Sequence, residues 1–342
     1  MDLTVRERQV LYGLVRWPGL NDFQLSDTLD LGRSTVTAVR QRLEKRGAVS
    51  TSLIPDFERI GCGLLTTLYG EFKGATTHSL DDFRVLIHEG VSSIFYMIRA
   101  GGLHLSLGAA RDLNEVGADI KEHHRLHHES GFLSDMRHNY VFFPLKHTHM
   151  PRFFDYAPLL ASSFGFEHKA ADEPERTGVW RPTSKEKSTL HALVRNPREP
   201  DAFVASEAGV SRQTVNTLRN KFLDEGLLRV VRIPDVSLLG FNVMAFTHLH
   251  MNPHHGRADR RGHVKSLLED PAHVLKISGD LESVLLSVHS DYGEFTKSHQ
   301  RILDLYGGDR FSDKPTVHLF PLERTENVVN HDYGNLVTRV IA

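Results

Sequence analysis

The sequence predicts an α+β chain in which two winged helix-turn-helix domains alternate with two ferredoxin-like (βαββαβ) domains. Three observations carry that prediction: a repeat spanning nearly all of the 342 residues, a pair of amphipathic helices that each end on a glycine, and a strand–helix alternation that follows each of them.

"LVRWPG" at Leu14 meets "LVRNPR" at Leu193, an offset of 179. The same offset puts Arg33 on Arg212, Thr35 on Thr214, Val36 on Val215, Arg40 on Arg219, Gly47 on Gly226, Gly61 on Gly240 and Asp112 on Asp291. Further on, "FPL" at Phe143 and "DYAPLL" at Asp155 match Phe320 and Asp332 at 177, so the second copy is two residues shorter in between. Self-similarity over so long a unit means a duplicated domain pair, not a solenoid of short repeats. Polar "EHKAADEPERTGVWRPTS", broken by two prolines, reads as the linker. The expected domains are 1–56 (winged helix-turn-helix), 57–166 (ferredoxin-like), a linker over 167–182, 183–235 (winged helix-turn-helix) and 236–342 (ferredoxin-like).

Each copy opens with a helix, a short helix, a turn and a longer helix. In the second copy these are "SKEKSTLHALVRN", "DAFVASEAG" and "SRQTVNTLRNKFLDEG", with Asp201 and Ser211 placed as N-caps and Gly226 as a C-cap glycine. Val215, Leu218, Phe222 and Leu223 recur at helical spacing and predict one buried face. The opposite face carries Arg212, Gln213, Thr214, Asn216, Arg219 and Asn220; the first copy offers Arg33, Ser34, Thr35, Thr37, Arg40 and Gln41. Arginines suit phosphates and guanine edges, amides suit adenine, and a helix fits the major groove. The first helix carries five basic residues against one acidic between Arg33 and Arg46; the second carries three against two between Arg212 and Glu225, so the first is expected to be the stronger phosphate binder. The extended segments "AVSTSLIPD" and "LLRVVRIPD" stand in the place of wings, with Arg229 and Arg232 in reach of a phosphate.

After each wing come strand, helix, strand, strand, helix, strand: "CGLLTTLYGEF", "LDDFRVLIHEG", "SSIFYMIRA", "LHLSLGAA", "LNEVGADIKEHHRLHH" and "NYVFFPL" in the first copy, and "FNVMAFTHLHM", "RRGHVKSLLED", "AHVLKIS", "SVLLSVH", "YGEFTKSHQRILDLY" and "PTVHLFPLE" in the second. That order gives an antiparallel sheet with both helices on one face.

Composition bounds the rest. A net charge of −2 leaves nucleic-acid binding to local patches. The chain has no apolar run of membrane-spanning length and starts without the apolar core of a signal peptide, so a cytoplasmic protein without membrane contact is expected. The single cysteine, Cys62, makes neither an internal disulfide nor a cysteine-based zinc site and reads as core.

Helix-turn-helix, wing, an "IPD…LG" passage into a strand, and a ferredoxin-like domain with "ISGDLESVLLSVHSD" at its central hairpin together resemble the feast/famine regulators, the leucine-responsive regulatory protein (Lrp/AsnC) family. The resemblance spans almost all of each copy. It implies a transcriptional regulator that binds double-stranded DNA, associates through its ferredoxin-like domains and senses an amino acid or related metabolite near the central hairpin. Those hairpins hold Gly101 and Gly102 in the first copy and Gly279 and Asp280 in the second; a tight turn explains the glycines equally well. Family members carry one copy per chain. Here covalent linkage makes a built-in pair, with unequal half-sites expected and association of two chains left open.

Twenty-two histidines raise the question of a metal. His123 and His127 stand at i and i+4 on a helix, and His248 and His250 share one strand face; neither pair recurs in the other copy, so they remain weak candidates and no cofactor is expected. Some relatives of the same build are sirohaem decarboxylases. The hairpins "RAGGLHLS" and "SGDLESVL" lack the aromatic, arginine and histidine crowding expected around a tetrapyrrole carboxylate, so the sequence reading expects no enzyme, with the decarboxylase and a pure interaction module as alternatives.

Overall fold

The computed structural model describes residues 2–72, 84, 93–129, 136–169, 180–254, 269–310 and 312–341. The helical segments expected at "LDDFRVLIHEG" and "RRGHVKSLLED" lie almost wholly outside the described residues, as does most of the linker.

The first copy runs α1 (Val5–Arg16), α2 (Asp22–Leu29), α3 (Arg33–Lys45), β1 (Val49–Pro55), α4 (Phe57–Ile60), β2 (Leu64–Phe72), β3 (Ile94–Ala100), β4 (Leu103–Ala110), α5 (Leu113–Glu129), β5 (Met136–Pro144), β6 (His149–Phe153) and α6 (Ala157–Phe164). The second runs α7 (Ser184–Arg195), α8 (Asp201–Ala208), α9 (Arg212–Asp224), β7 (Leu228–Pro234), β8 (Val243–His250), β9 (His273–Ser278), β10 (Glu282–His289), α10 (Tyr292–Arg310), β11 (Thr316–Pro321), β12 (Glu326–Val329) and α11 (Gly334–Ile341).

The local chemistry repeats with the sequence. Thr4 caps α1 in a reciprocal box with Glu7, and Thr183 caps α7 in the same box with Glu186. Ser211 caps α9 by accepting from the Thr214 N–H. Asp201, expected as an N-cap, is instead the first residue inside α8, where Pro200 holds the cap position. The third helices end through Gly47 and Gly226, whose φ of +70° and +66° disfavour any residue with a Cβ. Val36, Val39 and Leu43 bury one face of α3; Val215 and Phe222 do so for α9.

The chain divides into two compact units that interleave the copies. Unit 1 takes Met1–Ser50, His147–Ala171 and Val231–Glu323; unit 2 takes Thr51–Lys146, Asp172–Val230 and Arg324–Ala342. Unit 1 thus holds α1–α3 with the second copy's sheet, ordered β11-β8-β10-β9-β6. Unit 2 holds α7–α9 with the first copy's sheet, ordered β12-β3-β4-β2-β5.

Each sheet therefore has five strands where the sequence reading expects four. The edge strand is donated by the opposite copy: β6 pairs antiparallel with β9, and β12 pairs antiparallel with β3. Adding it pairs backbone groups that would otherwise form an open edge. The extended segments in the place of wings pair with each other, β1 with β7. In unit 1 the Asp235 N–H donates to the Ala48 carbonyl, and in unit 2 the Asp56 N–H donates to the Leu227 carbonyl, so β1 and β7 run alongside each other in both units.

Helices cover one face of each sheet. In unit 1, Leu249, Met251 and Leu285 pack with Ile302 of α10; in unit 2, Leu64 and Ala110 pack with Val116 of α5, flanked by Ile120 and Phe142. Cys62 is buried, and burial pushes its thiol up to about 12, consistent with the core role read from the sequence. At Gly63 a Cβ would meet the Arg111 carbonyl oxygen at 2.5 Å, so only glycine lets β2 start this close to the end of β4. Lys276 is buried in unit 1, and among the described residues its ammonium has no hydrogen-bond partner. It stands opposite Leu285 and Arg152 in register, on the helix-facing side; burial, then the Arg152 charge, lowers it to about 7. Among the described residues, no helix is long and apolar enough to cross a membrane.

Candidate nucleic-acid interface and histidine clusters

The third helix of each trio is fastened to its neighbours by the same two acid–base clamps. In unit 1, Asp22 at the start of α2 accepts from Arg40 Nε at 2.7 Å and from the Thr37 hydroxyl at 2.7 Å. In unit 2, Asp201 at the start of α8 accepts from Arg219 Nη2 at 2.6 Å and Nε at 3.1 Å, with the Asn216 amide at 3.5 Å. The second clamp uses the capping glutamates. Glu7 meets Arg42 at 3.2 Å and Arg46 at 3.7 Å, and Glu186 meets Lys221 at 2.7 Å. The Arg40 guanidinium holds the Asp22 carboxyl below the usual carboxylate range, and Lys221 does the same for Glu186.

These clamps sort the expected DNA-contacting residues. Arg33, Ser34 and Gln41 of the first copy and Arg212, Gln213, Asn216 and Asn220 of the second are exposed. Thr35, Thr37, Arg40, Thr214 and Arg219 are half-buried: Arg40 and Thr37 are committed to Asp22, Arg219 to Asp201, and Thr214 lies 2.9 Å from the Ser211 hydroxyl. Arg40 also reaches Glu44 at 3.0 Å, and Glu44 is met at 3.1 Å by Arg232, so that wing arginine is spent inside the protein. Much of the basic excess counted on α3 is thus neutralised locally. The signal was in the repeat: Glu7/Glu186, Asp22/Asp201, Arg40/Arg219 and Arg42/Lys221 all fall at the offset of 179, and acids repeated in step with bases point to structural pairs.

The expected effector residues lie at hairpin tips. Gly101, at φ +59°, and Gly102 join β3 to β4. Gly279 donates its N–H to the Glu282 carbonyl at 2.8 Å, and Asp280 is exposed beside it. The left-handed backbone at Gly101 suits a turn glycine.

Among the described residues, a histidine cluster forms in each unit. In unit 2, His104 on β4 and His138 on β5 both stand opposite Gly70 of β2. Without a side chain at Gly70 their rings approach to 4.6 Å. His123 of α5 packs 5.4 Å from His138, and the Tyr140 hydroxyl lies 3.4 Å from His124 Nε2. Burial, reinforced by His123 and His124, pushes His138 down to about 3, and burial raises Tyr140 to about 12. Arg99, opposite His104 in register, ion-pairs with Glu326. The side chain of His127, the expected partner of His123, lies outside the described residues. Sequence alone does not join His104 of β4 to His138 and Tyr140 of β5, because the two strands meet only across β2.

In unit 1, the His248 and His250 rings lie 4.1 Å apart between centroids, tilted by 49°, and His250 Nδ1 lies 3.6 Å from Glu282 Oε1. Burial lowers His248 to about 4, leaving it neutral at physiological pH.

No family model matches the chain, and no curated protein matches it in sequence. Among solved structures, the siroheme decarboxylase NirDL is similar over 98% of both chains at 9% identity and a TM-score of 0.52; its co-complex with an iron-uroporphyrin III analogue matches at 9% and 0.51. An AsnC family transcriptional regulator from Agrobacterium tumefaciens is similar over 40% of this chain and 87% of its own, at 18% identity and a TM-score of 0.33. The full-length likeness establishes a fold that NirDL shares. It also corrects the expectation that the chain is no enzyme, since the structures matching it end to end are those of a decarboxylase.

Proposed function

We propose that the chain is a DNA-binding regulator whose two third helices, α3 and α9, read unequal half-sites in double-stranded DNA, with a small metabolite as effector. One observation carries this reading: both helices are held by the same pair of clamps, and both leave the same strip outward, Arg33, Ser34 and Gln41 on one and Arg212, Gln213, Asn216 and Asn220 on the other. A rigidly held helix with arginine at its first turn and amides along its exposed face suits phosphate anchoring and base-edge readout. The clamped Arg40 and Arg219 act as positioning residues. The test is fluorescence anisotropy of a labelled random-sequence duplex with the full chain across a salt series. Binding should weaken with salt, and Arg33→Ala and Arg212→Ala should each lower the log–log slope by about 0.9. Binding that ignores salt, or a double variant with an unchanged slope, refutes the reading.

A second reading rests on the cluster of His104, His123, His138 and Tyr140 beside Arg99. The imidazoles of His104, His123 and a neutral His138, the protonated phenol of Tyr140 and the Arg99 guanidinium offer hydrogen-bond and charge partners for a carboxylated macrocycle, the ligand class of the decarboxylase sharing this fold. Titration with iron uroporphyrin tests it. A Soret shift abolished by His138→Ala supports it; an unshifted band in the intact chain rejects it.

A further inference from the structure

We propose that His248, His250 and Glu282 form a binding site for one divalent transition-metal ion of the zinc class. The inference stands apart from both functional readings above. It starts from the strand pleat: Leu249 and Met251 point to α10 with Leu285 and Ile302, so alternation places His248 and His250 together on the opposite face of the sheet. Glu282 stands directly opposite His250 in the β8–β10 register, which brings its carboxylate to the same face.

The three donors are already convergent. One ring nitrogen from each histidine and one carboxylate oxygen all lie within 4.8 Å of one another. Around a zinc ion with bonds of about 2.0–2.2 Å, tetrahedral donors stand about 3.4 Å apart. The His250–Glu282 separation of 3.6 Å is close to that value, so side-chain rotations on rigid strands can complete the site. Two imidazoles exclude a magnesium or calcium preference, which needs an all-oxygen shell, and select the zinc, cobalt and iron(II) group. Three protein ligands leave a fourth position open to water or a small anion.

His250 and Glu282 are each little more than a third exposed, so an ion can enter from solvent, while buried His248 anchors the inner side. The site adjoins the β9–β10 hairpin, where the Met251 N–H donates to the Leu281 carbonyl at 2.6 Å. A metal there would pin the hairpin tip to the end of β8.

The experiment uses the full, tag-free chain, stripped with chelator and desalted, then titrated with cobalt(II) while its visible d–d absorption is recorded. The expected result is a saturable four-coordinate spectrum at one equivalent per chain, bleached by zinc. Affinity should fall more than about 100-fold in His250→Ala and in Glu282→Gln, since even partners outside the metal's own ligands contribute about 10–100-fold. The His124→Ala variant, altered in the other cluster, should keep the spectrum. Glu282→Gln preserves size and shape, so its loss of binding with an unchanged far-ultraviolet circular dichroism spectrum reports ligation rather than folding. Absence of a saturable band, its persistence in both His250→Ala and Glu282→Gln, or its loss only in the His124→Ala variant would overturn the proposal.

Discussion

Replacing Lys276 by methionine should stabilise unit 1 at neutral and acid pH and remove most of its stability gradient in alkali. Lys276 is buried, its ammonium has no hydrogen-bond partner among the described residues, and burial beside Arg152 lowers it from 10.5 to about 7. That shift of about 3.5 units corresponds to about 5 kcal/mol at 1.36 kcal/mol per unit. The sign follows from proton counting. Between pH 10.5 and about 7 the unfolded chain binds a proton that the folded chain refuses, so stability falls as pH falls through this window and levels off below it. Methionine is unbranched, one heavy atom shorter, and never takes the proton. The variant should therefore be more stable by up to about 5 kcal/mol at pH 6 and converge with the parent near pH 10. Trp17 lies in unit 1 and Trp180 in unit 2, so urea denaturation followed by fluorescence in a Trp180→Phe background reports the relevant unit. Parallel pH profiles for parent and variant would refute the reasoning.

Three further outcomes are expected. His331 and His138 of unit 2 are both lowered by burial to about 3, so the unfolded chain gains protons first as pH drops below about 6.5, and stability should decline between there and pH 3; His331→Asn, which tolerates the positive φ of 52° at that position, should flatten the decline in a Trp17→Phe background. Asp201→Ala should cost its helical trio about 1–3 kcal/mol, and Asp22→Ala less, because Glu44 still holds Arg40; denaturant midpoints check the order. Gly63→Ala should destabilise unit 2 by about 1–3 kcal/mol by forcing β2 away from the Arg111 carbonyl, read as a lowered thermal midpoint.

The helical trios and the eight strands of the two ferredoxin-like cores were legible because their signals are local: apolar spacing, capping residues and glycines, each written twice at one offset. The exchanged strands were not. "HMPRF" and "ENVV" are too short to show alternation, and the partner strands that accept them lie far away in sequence. Sites followed the same rule. His248 and His250 could be found on one strand, whereas Glu282 joins them only through cross-strand register, and His104 meets His138 only across Gly70. The clamps were visible as paired acids and bases in step. Reading the third helices for outward charge alone assigned Arg40 and Arg219 to DNA when Asp22 and Asp201 already hold them.

The reciprocal loan of β6 and β12 makes the two copies mutually dependent for folding. Severing the chain in the linker would leave each fragment with a sheet missing its outermost strand and carrying a spare strand that fits the other's gap. Two such fragments, produced together, should find each other and rebuild the native arrangement by complementation, whereas either alone would face its own copies through an exposed ladder and self-associate. A chain wired this way resists being cut back to one half: deletion of either half removes a structural part from the half that remains.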